Sequence, residues 1–349
     1  MNLKRLFATC LCSTLLMAGC GGLDFYEADL EAIFEDYQGN DVPGAAVLVI
    51  KNGNTEFEGL YGMANIEAGE SISAHTNFRL ASVTKQFTAM GILILVERGE
   101  LSLETGLGSI FSDLPSFAQS ISIRNLLRHN AGLLDYESLI PSSFEGQVHD
   151  SDVLNLMRQT DSTYFEPGTA YRYSNSGYAV LAMIIEEVSG MSYPDFMRQN
   201  IFQPLKMDNT VAFIDGVTSV QNRAYGYTVE ATSVTFDDQS QTSAVLGDGG
   251  IYSSISDLYK WDQALYSEDL VSSEMLEQAF TPGLASYGFG WRIDSFRSHR
   301  RLSHTGSTRG FRTVIQRYPD NKVSVVILTN RNGPAVAALA EELSKHFLD

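Results

Sequence analysis

Cysteine is almost absent from this sequence. Its 349 residues hold three, at positions 10, 12 and 20. Three thiols at one end cannot frame a disulfide scaffold or a cysteine-ligated zinc site. The six histidines show no His-Glu-x-x-His and no paired spacing, so no metal is expected. Basic residues are also few, 24 Lys and Arg against 42 Asp and Glu, for a net charge of −18. No basic run is present to line a phosphate backbone, so no nucleic-acid partner is expected. Walker and dinucleotide glycine motifs are missing, and no cofactor is expected. There is no Gly-x-Ser-x-Gly, which excludes an α/β-hydrolase elbow. No internal repeat and no low-complexity linker occurs. What remains is 44% hydrophobic and 19% charged, a globular composition with about two domains' worth of core.

The first twenty residues read as a signal. Lys4 and Arg5 form a positive start, residues 6–17 an apolar stretch too short to span a bilayer, and Ala18-Gly19 the small residues before Cys20. Leu16-Met17-Ala18-Gly19-Cys20 resembles the bacterial lipoprotein lipobox. That resemblance implies a signal peptide over 1–19, lipid attachment at Cys20 and a spacer over 20–25. It places the protein in the bacterial cell envelope as a lipoprotein facing the periplasm or exterior, with the membrane as partner through the anchor. The alternative is an ordinary secretory signal cut near Ala18. Removing 1–19 takes two basic residues and no acids, so the mature charge is 22 − 42 = −20.

Both ends of the mature chain read as strand-rich. Residues 26–37 carry one apolar stripe and suit a helix. Residues 45–50 form a continuous apolar run, a strand buried on both faces, with 55–61 as its hairpin partner across Asn52-Gly53-Asn54. Residues 287–293, 309–318 and 323–329 read as strands. A last helix is expected from Asn332-Gly333-Pro334 to about residue 347. Helical patterns fill the middle, over 82–98, 123–128, 152–160, 176–188, 193–200 and 256–266. The expected fold is α+β: an antiparallel sheet flanked by helices, built from both chain ends, with an inserted, mostly helical domain. The division is residues 26–75 plus 285–349 for the sheet domain and 76–284 for the helical one. Residues 87–96 are apolar all round, as in a central buried helix.

Three short motifs occur in order: Ser82-Val83-Thr84-Lys85, Tyr173-Ser174-Asn175 and His304-Thr305-Gly306. Each is weak alone, since Ser before a helix is commonly a cap and Thr-Gly a turn. Only one of the seven lysines has Ser three residues before it, and only one asparagine has Tyr two before it. Residues three apart on a helix share a face, so Lys85 lies beside Ser82. A helix start favours an oxyanion and, with burial, disfavours an ammonium, making Lys85 a candidate general base. Tyr173 is a second candidate if a nearby cation stabilises its phenolate. The residues leave that choice open, and the two are candidates to act as one coupled unit. Asn175 offers an amide donor and acceptor for substrate or Lys85.

In this order the motifs resemble those of the serine β-lactamase and penicillin-binding-protein superfamily. The class C β-lactamase-like branch, with its D,D-carboxypeptidase, D-aminopeptidase and esterase relatives, is the most similar. The likeness extends over most of the mature chain. It includes Phe78 to Ala89, Ile123 to Leu133, Phe165-Glu166-Pro167-Gly168, Gly247 to Ser254 and Gly288-Phe289-Gly290-Trp291. It implies a β-lactamase-like fold and a catalytic set of Ser82, Lys85, Tyr173, Asn175 and His304. It also implies backbone N–H groups of Ser82 and Ser307 as oxyanion donors, and Thr305, Gly306 and Arg309 at the substrate. Gly306 would let a substrate backbone approach the strand edge. His304 stands where the Lys-Thr-Gly form has a fixed cation, and is expected to titrate near pH ~6.5 beside a substrate anion. Arg309 offers a fixed charge or is a surface strand residue. His129 is expected to satisfy a local backbone group.

The functional expectation is a cell-envelope serine hydrolase working through an acyl-enzyme on an amide or ester. The substrate would be a small molecule or a peptidoglycan-like one: a D-amino-acid peptide, a short ester or a β-lactam. The alternative is a lipid-anchored, non-catalytic penicillin- or peptidoglycan-binding protein. Retention of Ser82, Lys85, Tyr173 and Asn175 together favours the enzyme.

Overall fold

A six-stranded antiparallel sheet organises the molecule, because strands from the two ends of the chain pair with one another. The computed structural model describes residues 29–348. The signal, Cys20 and the spacer lie outside the described residues. The strands are β1 (Ala45–Lys51), β2 (Asn54–Tyr61), β3 (Arg292–Phe296), β4 (His299–Thr308), β5 (Phe311–Tyr318) and β6 (Val323–Thr329), in the spatial order β3-β4-β5-β6-β1-β2. Asn52 and Gly53 both take positive φ, 53° and 76°, the geometry that a two-residue hairpin between β1 and β2 demands.

Both faces of this sheet are covered, which explains the uninterrupted apolar run in β1. Ala45, Val47 and Val49 pack with Leu30, Phe34 and the C-terminal helix, through Val336, Ala340 and Leu343. Ala46, Leu48 and Ile50 join the main core on the other side. That core is centred on α1 (Thr84–Glu97), whose residues from Thr84 to Leu95 are all buried. Helix α2 (Asn175–Ser189) lies against α1 and ends on Gly190 in the left-handed region, φ 68°. Gly91 allows their close approach, since a Cβ there would stand 2.9 Å from Ile185 Cδ1.

A buried ion pair fastens the helical side to the sheet. Asp262, on α3 (Ile255–Ala264), accepts from Arg317 Nε of β5 at 2.6 Å and from Ser324 Oγ of β6 at 2.6 Å. Both charged side chains are 1% exposed. Losing one partner of such a pair strands the other charge away from water.

The sheet from both ends and the helical middle match the expected fold class. Several local expectations are corrected. The strand expected over 287–293 is β3, beginning at Arg292, because Gly288 to Trp291 close a tight turn (Gly288 N to Trp291 O 2.8 Å) with Gly290 at φ 78°. Arg309 is not a strand residue. It takes φ 38° in the β4–β5 turn, and β5 begins at Phe311. The last helix, α4 (Val336–Ser344), starts after Pro334 rather than on it.

Candidate active site

The turn that carries Ser82 is built before α1 begins. Phe78 and Arg79 pair with Ser253 and Tyr252, and Leu80 N–H donates to Ile251 O at 2.8 Å. Ala81 then turns into the left-handed region at φ 48°, a conformation that a residue with a Cβ adopts at a cost of roughly 1–3 kcal/mol. Ser82 sits in a 3-10 turn, Ala81–Val83, one turn ahead of α1. Strands β4 and β5 press on this turn. Thr313 Oγ1 donates to Leu80 O at 2.7 Å, and a Cβ on Gly306 would stand 2.1 Å from that same carbonyl. Gly306 is therefore needed for contact with the protein's own nucleophile turn. The sequence gives no sign of this contact, since it suggests only room for a substrate backbone.

Lys85 is fully buried, and its ammonium nitrogen meets three acceptors. Nζ donates to Ser82 Oγ at 3.1 Å, Asn175 Oδ1 at 2.9 Å and Asp248 O at 2.8 Å. These partners come from the nucleophile turn, the first residue of α2 and the turn Leu246–Gly249. Nζ also stands 5.1 Å from the centre of the Tyr173 ring. Ser82, Lys85, Tyr173 and Asn175 thus form one cluster.

Behind Tyr173 lies an aromatic packet. His129 stacks on Tyr173 with centroids 4.2 Å apart, and its Nδ1 accepts from Ser174 N–H at 3.3 Å. That backbone bond fits the expected local role. His304 is 2% exposed and bonded at both ring nitrogens. Nδ1–H donates to Thr305 O at 2.8 Å, which leaves Nε2 to accept from Tyr287 O–H at 2.9 Å. Burial pushes the imidazole down to about 3, with the Lys85 charge adding to the effect. His304 is neutral at physiological pH and faces Tyr287. This corrects the expectation of a group titrating near 6.5 beside a substrate anion.

An open pocket lies over Ser82. Its walls include Asn175, Tyr136, Glu137, Asp248, Ser307 and Arg79. Strand β3 pairs β4 only from His299 to Ser303, so residues 304–308 meet the nucleophile turn along an edge without a strand on that side. This brings Ser307 to the pocket. Thr305 does not line it, and Arg309 turns away to pair with Asp237. Of the charged wall residues, Arg79 and Asp248 are buried and Glu137 is exposed. Arg79 gives its terminal nitrogens to Gln239 Oε1 and Ser243 O, at 2.9 and 2.7 Å. Burial raises Asp248 to about 6 against the pull of Lys85 and Arg79. Burial, followed by the charge of Asp135, raises Glu137.

Sequence reasoning passed over Tyr136, Glu137, Asp248 and Arg79. Asp248 lies within the glycine-rich Gly247 to Ser254 stretch, and Arg79 within the segment around Ser82. Tyr136 and Glu137 follow directly on the His129 loop, and no spacing rule marks them. Among the described residues no group of three or more His, Cys, Asp or Glu is placed to hold a metal ion.

The family model described as Beta-lactamase matches residues 30–346. The chain is 34% identical over 324 residues to a penicillin-binding protein of Bacillus subtilis, covering 86% of this chain and 71% of the relative. It is 30% identical over 319 residues to a D-aminopeptidase of Brucella canis, covering 88% of this chain. It spans only 60% of that relative's length. A solved structure of a penicillin-binding protein from Bacillus halodurans matches with a TM-score of 0.78 at 26% identity, over 91% of this chain and 99% of that one.

The state of His304 has a measurable consequence. On acidification the unfolded chain takes up a proton at this residue near pH ~6.5, while the folded protein resists until about 3. Stability contributed by neutral His304 is therefore lost as pH falls through that window. Relative to His304→Gln, the wild type should lose about 2 kcal/mol between pH 7 and pH 5. Urea unfolding at the two values checks this, and parallel stability changes in the two proteins would contradict it.

Proposed function

The chain belongs to the beta-lactamase family of serine hydrolases, and on that premise we propose that it cleaves the amide bond of small D-amino-acid amides or peptides with a free amino end. The observation that carries this reading is the charge of the Ser82 pocket. Among the residues that line it the exposed charged group is the carboxylate of Glu137, whereas Arg79, Arg309 and His304 are occupied or uncharged and Arg292 stands outside the lining, beside the Tyr173 ring. Arg309 is paired with Asp237, Arg79 is buried on neutral partners, and His304 is neutral and covered. A substrate ammonium is attracted to such a pocket, and a terminal carboxylate is not. A D-aminopeptidase among the relatives agrees with this reading.

In this mechanism Ser82 Oγ attacks the amide carbonyl. Its proton passes to the Lys85–Tyr173 unit, which accepts it in the form that carries one proton fewer than an ammonium and a phenol together; Nζ is 3.1 Å from Oγ. The backbone N–H groups of Ser82 and Ser307 receive the oxyanion. The C–N bond breaks, the amine leaves with the transferred proton, and water then releases the acyl group and restores Ser82. Asn175 holds Nζ from the far side at 2.9 Å. The intact cluster favours turnover over mere binding. We also infer that Cys20 carries lipid and holds the enzyme in the bacterial cell envelope, on the strength of the Leu16 to Cys20 pattern. The native protein should partition with membranes and Cys20→Ser should not, whereas equal partition of the two would contradict the anchor.

Glu137→Gln removes the exposed charge and keeps the size. It should raise KM for D-alanine amide about tenfold, the factor for roughly 1.4 kcal/mol, with kcat little changed. Hydrolysis of N-acetyl-D-alanine amide should be slow in both proteins. Wild-type preference for the acetylated or a carboxylate-ended substrate would overturn the assignment. Absence of turnover on every substrate would return the protein to the non-catalytic reading.

A further inference from the structure

Asp150 is an acid buried where no cation pairs with it. It opens the helix Asp150–Gln159, which packs against α2. Its carboxylate accepts two backbone N–H groups, Leu246 at 2.8 Å and Gly247 at 3.0 Å, on separate oxygens. Those are the first two residues of the turn Leu246–Gly249. The two carbonyls that follow both face α1. Gly247 O accepts from Thr88 Oγ1 at 2.7 Å, and Asp248 O accepts from Lys85 Nζ at 2.8 Å. The turn is pressed so tightly on α2 that a Cβ on Gly247 would meet Tyr178 O at 2.3 Å. The turn's height above α1 is thus set from above by Asp150 and from below by Thr88 and Lys85.

We propose that Asp150 is a positioning residue for catalysis, acting through the Leu246–Gly249 turn to hold Lys85 Nζ against Ser82. The proposal rests on the reading of Ser82 as nucleophile and Lys85 as its proton partner. The chemistry supports an acid at this place. A carboxylate offers acceptors on both oxygens, whereas an amide offers one acceptor and turns an N–H toward the other donor. Without the second bond a buried backbone N–H is left unpaired, and the turn relaxes. A displacement of the Asp248 carbonyl by a fraction of an ångström lengthens one of the three bonds that fix Nζ.

Asp150 is ionised only where it can be. Burial raises it to about 7, opposed by the two N–H bonds, and the charges of Asp248 and Glu186 add to the rise. Asp248 faces it from the turn and Glu186 from α2. Tyr193 and Tyr136, whose pKa values these acids help raise, and His149, which lines one cavity with Asp150 and Glu186, are the other titratable groups near it. The ionised form, present on the alkaline side, is the one that accepts both N–H bonds.

The test reads the rate at which a fluorophosphonate labels Ser82, which needs no knowledge of the natural substrate. Asp150→Asn should slow labelling about tenfold or more and should lose a rise in rate centred near pH 7 that the wild type shows. Asp150→Glu, which keeps two acceptor oxygens, should retain that rise and recover part of the rate. In a Lys85→Met background Asp150→Asn should slow labelling no further, because its effect runs through Lys85. Circular dichroism separates these effects from unfolding, and Asp150→Glu carries the test if the asparagine variant does not fold. Wild-type rates and pH profile in Asp150→Asn would overturn the proposal, as would an equal slowing in the Lys85→Met background. Failure of the wild type to label at Ser82 would instead overturn the nucleophile reading and this inference with it. Equal labelling of the wild type and Asp150→Asn at Ser82 would remove the positioning role alone.

Discussion

A lysine with no access to water is the constraint on which this site depends. A buried ammonium is tolerated only when its N–H bonds find acceptors, because its desolvation is otherwise prohibitive. Lys85 finds them on Ser82, on Asn175 ninety positions away in sequence and on Asp248, 163 positions away. Each acceptor belongs to a different element, and each element is fastened elsewhere. The nucleophile turn is held by Thr313 and Gly306 of the sheet, α2 by its packing on α1, and the Leu246–Gly249 turn by Asp150. Three separately fastened elements meet at one nitrogen atom. The strain at Ala81 is tolerable in the same way, since Leu80 is bonded on both its amide and its carbonyl.

The second organising feature is the loss of a cation from β4. With a neutral His304 turned toward Tyr287, the strand brings no charge to the substrate. Tyr173 then has Lys85 as its near cation on one side and Arg292, 5.8 Å from its ring, on the other. The pocket's exposed charge is Glu137. The resulting polarity is the reverse of what a carboxylate-ended substrate requires. Charge argues for a free amino end as a matter of the whole pocket, beyond any single contact.

Much of this was legible in the sequence, for identifiable reasons. The apolar run at 45–50 and the hairpin at Asn52-Gly53 follow from period and turn chemistry, and the structure has both. The rarity of lysine made Ser82-x-x-Lys85 stand out. What was not legible depends on tertiary context. The burial of His304 follows from Tyr287 and the β3 turn, which local pattern does not reveal. Gly306 is explained by a carbonyl 226 positions earlier. The role of Arg309 is set by Asp237, across a hairpin whose placement no local rule predicts. Asp150 and Asp248 draw no role of their own from the sequence, because nothing in their neighbourhoods announces that the fold buries them.

The central claim is that amide hydrolysis proceeds through an aminoacyl group carried on Ser82, and the intact mass of the enzyme during turnover tests it most directly. Rapid acid quench of the purified domain with a D-alanine ester should show a protein species heavier by one aminoacyl residue. Peptide mapping should place that mass on Ser82, and it should decay as substrate is exhausted. Turnover with no such species at any quench time, or with the mass on another residue, would contradict the account.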